Sequence, residues 1–118
     1  VCLLPLTPLT EGIIDTKLLA GLPEGASFIN VARGQHLIDA DLIAALDRGH
    51  IAGAVLDVFR AEPLAAVHPF WRHPKVTLTP HMASLSDPRT VIDQVIANLR
   101  LSQDGRPLLH RVDPGRGY

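Results

Sequence analysis

Short apolar runs alternate with amphipathic segments along the chain, a pattern typical of parallel strands separated by helices. Four apolar runs predict strands at residues 1–4, 27–31, 53–58 and 75–79. Helices are predicted at residues 16–21, over about ten residues from residue 39 onward, and at residues 88–104. Asp15 and Asp39 are suitable N-caps for the first two helices. The sequence therefore predicts an α/β fold built on a parallel sheet.

Two apolar surfaces in this pattern require a partner. Asp87-Pro88 starts the last helix and Gly105 ends it. The predicted buried side of that helix carries Val91, Ile92, Val95 and Leu99. Residues 1–4 form an apolar strand that begins abruptly, without an initiator methionine or a basic leader. We therefore expect another strand beside residues 1–4 and more chain before them.

The composition narrows the class of protein. Hydrophobic residues make up 47% of the chain and aromatic residues 4%, which favours an aliphatic core between a sheet and helices. The net charge of -1, with both signs interspersed, argues against a nucleic-acid partner. No apolar run reaches membrane-spanning length. The single cysteine, Cys2, excludes a disulfide framework and favours a reducing compartment, the cytoplasm.

Polar or special residues follow the four predicted strands at their carboxyl ends. They are Pro5 to Thr7, Arg33-Gly34, Asp57 with Glu62 shortly after it, and His81. In a parallel sheet these ends share one edge, where ligands bind, so a common pocket is expected. Each residue alone has a plainer interpretation: Arg33 as a solvated turn residue, Glu62 as an exposed loop acid and His81 as a structural histidine.

The remaining histidines do not indicate a metal site. They are His36, His50, His68, His73 and His110. Because they lack metal-ligand spacing, we interpret them as surface or loop residues and expect no metal.

Arg33, Glu62 and His81 together permit one specific chemistry. A histidine can hand a proton to a developing alkoxide, and a carboxylate on its other ring nitrogen fixes the tautomer. An arginine fork can grip a carboxylate and polarise the carbonyl beside it. These are the requirements for reducing a 2-oxo acid with hydride. No serine or cysteine nucleophile motif competes with this interpretation.

Five segments in order and at matching spacing resemble the D-isomer-specific 2-hydroxyacid dehydrogenase family. They are Leu4-Pro5-Leu6-Thr7-Pro8-Leu9-Thr10, Phe28-Ile29-Asn30-Val31-Ala32-Arg33-Gly34, Gly53-Ala54-Val55-Leu56-Asp57-Val58-Phe59, Glu62-Pro63-Leu64 and Thr79-Pro80-His81. The resemblance implies a doubly wound, Rossmann-like NAD(P)-binding domain whose C-terminal half is residues 1–85. Residues 86–118 would be a helix and tail that return to the substrate domain.

A finer resemblance points to the family members that reduce glyoxylate and hydroxypyruvate. It rests on two further segments, His68-Pro69-Phe70-Trp71-Arg72-His73-Pro74 and Val112-Asp113-Pro114-Gly115-Arg116-Gly117-Tyr118. The resemblance implies a small 2-oxo acid as substrate and NADP or NAD as the hydride donor, with NADPH favoured.

The resemblance also implies a role for each site residue. Arg33 would bind the substrate carboxylate and carbonyl, Glu62 would pair with His81, and His81 would be the general acid. Asp57 would contact the nicotinamide carboxamide. The implied cofactor-binding positions are Pro5, Thr7, Val31, Ala32, Arg33, Asp57, His81, Ala83 and Ser84.

The family's Gly-x-Gly-x-x-Gly loop is not formed by any of the nine glycines. Without that loop the chain is expected to hold a dinucleotide poorly and to need the N-terminal half of the same protein. The resemblance also implies a homodimer for the full-length enzyme. The alternative is a non-catalytic remnant or a binding module that keeps the fold. The missing front half favours this alternative, and the intact Arg33, Glu62 and His81 set argues against it.

Overall fold

A computed structural model of the chain describes residues 1–84 and 87–115. It divides into two compact units, Val1–Ala83 and Ser84–Tyr118. The first unit contains helices α1 (Thr16–Ala20) and α2 (Asp39–Asp47) and strands β1 (Ala26–Asn30), β2 (Ile51–Leu56) and β3 (Val76–Leu78). The second contains helix α3 (Pro88–Gln103). None of the helices within the described residues is long and apolar enough to cross a membrane.

The three strands form one parallel sheet in the order β1-β2-β3. Helix α2 packs on β2, and α1 packs on α2. Leu42 and Leu46 of α2 and Ile51 and Leu56 of β2 are fully buried, and each contributes about 1.5–3 kcal/mol through removal of apolar surface from water. The core therefore lies between the sheet and these two helices.

The predicted helices and the last three predicted strands are present, with ends shifted by one or two residues. The predicted cap of α1 is confirmed, because the Asp15 carboxylate accepts a hydrogen bond of 2.8 Å from the Leu18 N–H. The predicted cap of α2 is wrong. Asp39 is the first helical residue and Ile38 is the N-cap, which makes no side-chain cap. The Asp39 carboxylate instead lies 3.4 Å from Nε2 of His68.

The predicted strand at residues 1–4 is wrong as an element. Only Cys2 pairs, in a single parallel bridge with Asn30, and its N–H donates to the Ile29 carbonyl over 2.8 Å. Val1 and Leu3 are 79% and 74% exposed, because no described residue covers their side of the segment. The segment nevertheless runs parallel to β1, and this direction brings Pro5 to the carboxyl edge of the sheet.

Helix α3 begins where the sequence predicts, with the Asp87 carboxylate accepting from the Arg89 N–H at 3.0 Å. Its predicted buried side is wrong for this chain, because the helix has no buried residue. The four apolar residues of that side are all exposed: Val91, Ile92, Val95 and Leu99. An amphipathic face stays exposed unless another element covers it. The tail segment of the finer resemblance spans residues 112–118. Its residues 116–118 lie outside the described residues.

The interpretation of His36 as a surface or loop residue is wrong. His36 ends a short 3₁₀ helix, Gly34–His36, and is completely buried. Its ring lies between two backbone carbonyls, and a hydrogen bond donated to a carbonyl is a usual condition for a polar side chain in a core.

Candidate active site

The carboxyl ends of the three parallel strands meet at one edge of the sheet and carry the predicted site residues. Arg33 follows β1, Asp57 directly follows β2 with Glu62 shortly after it, and His81 follows β3. The pairing of Cys2 with Asn30 brings Pro5 to the same edge. The structure therefore places these residues on the side of an open α/β sheet where ligands bind.

Glu62 and His81 form a direct pair. Nδ1 of His81 lies 2.8 Å from Oε2 of Glu62, and Oε1 of Glu62 accepts from the Phe59 N–H over 2.9 Å. The hydrogen bond from His81 and the one from Phe59 hold the pKa of Glu62 below its ordinary value, and the charge of Arg33 adds to this effect. Half of the His81 side chain is exposed, so the ring can meet a ligand while Glu62 holds Nδ1.

Asp57 fixes the backbone that carries His81. Its buried carboxylate accepts hydrogen bonds from the Thr79 hydroxyl, from the Met82 N–H at 2.9 Å and from the Ala83 N–H at 2.9 Å. Burial alone would raise the pKa of Asp57, but these donors outweigh it, and the pKa lies below its ordinary value. Asp57 is therefore an ionised acceptor that ties together the segments on both sides of His81.

Arg33 projects from a rigid turn. Its guanidinium is exposed and donates from Nη1 to the Ala32 carbonyl at 2.6 Å. The buried amide of Asn30 supports the turn from below: Nδ2 donates to the Arg33 carbonyl at 3.1 Å, and Oδ1 accepts from the Ala32 N–H at 3.2 Å. The exposed guanidinium can therefore bind an anion without loss of these backbone contacts.

Gly34 allows the turn after β1 to touch the segment after β2. A Cβ atom at Gly34 would lie 1.9 Å from the Phe59 carbonyl carbon and 2.3 Å from the Arg60 nitrogen. Only glycine permits this approach, which fixes the Arg33 turn against the segment that holds Glu62.

Two polar residues that support this edge were not predicted as site residues. Asn30 and His36 are fully buried, and both bond the Arg33 carbonyl. A signal for Asn30 exists in the sequence, because an amide at the end of a buried strand requires partners. No comparable signal exists for His36, whose partner Pro5 lies far away along the chain.

A cavity of about 390 Å³ opens beside the pair formed by Glu62 and His81. Its wall is mainly apolar, and its lining residues are Phe59, Glu62, Pro63, Leu64, Trp71, Leu78, Thr79, Pro80 and His81. Trp71 is 55% exposed, and its indole Nε1 donates to the Ala65 carbonyl at 3.0 Å. The pair thus borders a surface able to exclude water from one side of the imidazole.

The other predicted cofactor positions are distributed along this edge and beyond it. Pro5 is exposed, and Thr7 is half-buried with its N–H donating to the Thr10 hydroxyl at 2.8 Å. Val31 is half-buried, Ala32 is buried and Ala83 is exposed. Ser84 opens the second compact unit. Their contacts with a cofactor, and that of Asp57, remain predictions.

Comparison with known proteins identifies the family. The model of the D-isomer specific 2-hydroxyacid dehydrogenase, NAD binding domain, matches residues 1–83. The chain belongs to this family. The predicted α/β class and Rossmann-like NAD(P)-binding domain are therefore confirmed.

Similar dehydrogenases of known name or structure agree with the finer resemblance. The glyoxylate/hydroxypyruvate reductase A of Yersinia enterocolitica is 49% identical over 98% of this chain and 37% of that protein. A family structure from Xanthobacter autotrophicus Py2, in complex with NADPH and MES, is 52% identical with a TM-score of 0.92 over 98% of this chain and 48% of that chain. The NADPH-dependent glyoxylate/hydroxypyruvate reductase of Sinorhizobium meliloti, in complex with NADP and sulfate, is 45% identical with a TM-score of 0.87 over 98% of this chain and 38% of that chain.

The match to the dehydrogenase family covers only part of such proteins. The chain spans 37% of the length of the Yersinia relative. The match to the NAD-binding domain ends at residue 83, the last residue of the first compact unit.

Proposed function

We propose that this chain is the C-terminal part of an NADPH-dependent reductase that converts glyoxylate, hydroxypyruvate or a similar small 2-oxo acid to the 2-hydroxy acid. The observation that carries the proposal is the 2.8 Å contact between Glu62 and His81, at an edge that also presents the exposed guanidinium of Arg33. The names of the similar reductases, at 45–49% identity, support the substrate class.

Each of the three catalytic side chains has one role in the proposed reaction. Arg33 binds the substrate carboxylate through its planar fork and polarises the adjacent carbonyl. Glu62 accepts from Nδ1 of His81 and so directs a proton on Nε2 towards the substrate. As the carbonyl carbon becomes tetrahedral, this proton moves to the carbonyl oxygen.

A nicotinamide dinucleotide fits the same edge. When bound, it supplies the hydride that the carbonyl carbon accepts. The ionised Asp57 carboxylate is an acceptor suited to a carboxamide N–H, and Pro5, Thr7 and the Val31-Ala32 backbone would line the path of the nucleotide. Arg33, His81, Ala83 and Ser84 would complete the cofactor site. NADPH is favoured because two similar structures hold NADPH or NADP.

The rest of the enzyme would supply what these residues do not. The glycine loop that binds pyrophosphate would lie in a preceding N-terminal part, and residues 86–118 would belong to the substrate domain. The exposed apolar face of α3 supports this assignment, because such a face requires a covering element. The homodimer and the cytoplasmic location remain predictions.

A non-catalytic binding module is the alternative. The retained contact between Glu62 and His81 favours the reductase, because a module without chemistry has no need for this pair.

The substrate class is tested with the full-length protein that contains these residues. We expect NADPH oxidation with glyoxylate and hydroxypyruvate, and little with glycolaldehyde, which lacks the carboxylate that Arg33 binds. Arg33→Lys keeps the charge but loses the fork, so kcat/KM for glyoxylate should fall at least about tenfold. Steady-state absorbance of NADPH measures both effects.

Arg48→Lys is the matched control, because Arg48 is an exposed arginine at the C-terminal end of α2. It should leave kcat/KM unchanged. Equal turnover of glycolaldehyde and glyoxylate would refute the assigned substrate class. Tight NADPH binding without any turnover would instead support the binding module.

A further inference from the structure

We infer that the buried His36 is a positioning residue that ties the substrate-binding Arg33 to the cofactor-lining turn at Pro5. This inference rests on the proposed function, because it takes the roles of Arg33 and Pro5 from it. His36 itself touches neither ligand in this account and acts through the two carbonyl groups that it holds.

The His36 ring lies between two backbone carbonyls that belong to distant parts of the chain. Nδ1 lies 3.0 Å from the Arg33 carbonyl oxygen, and Nε2 lies 3.2 Å from the Pro5 carbonyl oxygen. The residue is completely buried. Both contacts are within hydrogen-bond distance, so one planar ring joins the turn after β1 to the segment beside β1. Because both partners are acceptors, the ring donates to both only when each nitrogen carries a proton; with one proton it donates to one carbonyl and packs against the other.

Each end of this link continues into a residue with an assigned role. The Pro5 carbonyl also accepts from the Thr10 hydroxyl at 2.7 Å, and that hydroxyl in turn accepts from the Thr7 N–H at 2.8 Å. The Arg33 carbonyl also accepts from the Asn30 amide at 3.1 Å. The ring therefore sets the spacing between the Pro5–Thr10 turn and the base of Arg33.

Rigidity is what makes a histidine suitable for this position. The two ring nitrogens point away from each other at a fixed separation, so moving one carbonyl strains the bond to the other. Each carbonyl keeps its second donor when its contact with the ring is lost, Thr10 at Pro5 and Asn30 at Arg33, so the loss changes the spacing of the turns without leaving an acceptor unpaired. Loss of one end of the link should therefore loosen one ligand site more than the other.

Two substitutions separate the ends of the link. In His36→Asn the amide nitrogen can take the place of Nδ1 and keep the Arg33 contact, while the Pro5 contact is lost. In His36→Gln the amide nitrogen can take the place of Nε2 and keep the Pro5 contact. In the full-length enzyme, His36→Asn should raise KM for NADPH about fivefold and His36→Gln should raise KM for glyoxylate about fivefold, the effect of one lost hydrogen bond.

His50→Gln is the control, because Nε2 of His50 also bonds a backbone carbonyl, that of Leu19, at 3.0 Å. His50 precedes β2 and so lies at the opposite edge of the sheet. This variant should change neither KM, because the glutamine amide can take the place of Nε2 and the residue lies away from the candidate site. Unchanged KM values in both His36 variants, or equal rises of both KM values in each, would overturn the positioning role.

The wild-type enzyme distinguishes failure of this inference from failure of the proposed function. If wild type does not reduce glyoxylate, the proposed function fails before any variant is compared. If the variants do not fold, ¹⁵N-histidine NMR of wild type tests whether the His36 ring makes a buried hydrogen bond. A His36 ring N–H protected from solvent exchange supports the link, and a ring without a protected N–H overturns it.

Discussion

The backbone of His81 has a left-handed conformation with φ of 53°, which is unusual for a residue with a side chain. Such a conformation costs about 1–3 kcal/mol and persists where surrounding bonds impose it. Asp57 supplies those bonds by accepting from Met82 and Ala83, directly after the strained residue. At the residue scale, the buried acid thus stabilises the position from which the imidazole is proposed to reach the substrate.

The lowered pKa of Glu62 predicts how its contribution to stability depends on pH. The carboxylate is favoured in the folded state, so its contribution is present above its ordinary pKa of 4.5. It is lost as the pH falls through the lower folded-state pKa. The thermal unfolding midpoint of the full-length protein should therefore exceed that of Glu62→Gln above pH 4.5, and the difference should shrink in more acidic solution.

Glu24→Gln is the control for this comparison, because Glu24 is an exposed glutamate in the turn before β1. Its unfolding midpoint should follow that of wild type throughout the titration. A difference between wild type and Glu62→Gln that widens towards acidic pH would contradict the assigned pairing with His81.

At the scale of elements, the site depends on close contact between the turns that follow β1 and β2. Gly34 begins the 3₁₀ helix Gly34–His36, and its missing side chain lets that helix touch the backbone of Phe59 and Arg60. The Phe59 N–H in turn holds Glu62. Backbone packing between two loops, rather than a side-chain contact, therefore sets the position of Arg33 relative to the pair.

Gly34→Ala should destabilise the protein by about 1–3 kcal/mol, because the added Cβ atom overlaps backbone that must move. The same movement should lower turnover of glyoxylate. Gly53→Ala is the matched control, since a Cβ there would meet the Lys75 carbonyl at an ordinary 3.5 Å. Urea unfolding measures the difference, and equal stability of the two variants would contradict the packing argument.

The sequence predicts strands and helices wherever their apolar pattern finds a partner within the chain. The ends of β1, β2 and β3 are predicted to within two residues, so the candidate site residues that follow them lie at the predicted edge of the sheet; their roles stay predictions. The pattern fails for residues 1–4 and for the face of α3, which have no covering layer among the described residues. It also fails for His36, because its burial depends on a carbonyl 31 positions away, and local patterns carry no such information.

At the scale of the whole molecule, the chain carries the proposed catalytic residues but covers little more than a third of the length of a similar reductase. Its exposed apolar residues include Val1, Leu3 and the four residues of the α3 face, and exposed apolar surface of this kind often marks an interaction site. We expect the preceding part of the enzyme to cover them. The central claim of the proposed function is that His81, held by Glu62, transfers a proton to the substrate.

Turnover of glyoxylate by full-length His81→Asn tests that claim most directly. The amide nitrogen of asparagine can take the place of Nδ1 and keep the bond to Glu62, but no group replaces Nε2. His73→Asn is the control. His73 precedes β3 and so lies away from the proposed catalytic edge, and its Nε2 lies 3.3 Å from the Asp47 carboxylate. With NADPH binding retained, kcat of His81→Asn should fall about a hundredfold or more while His73→Asn keeps wild-type turnover. A kcat for His81→Asn equal to that of wild type would contradict the account.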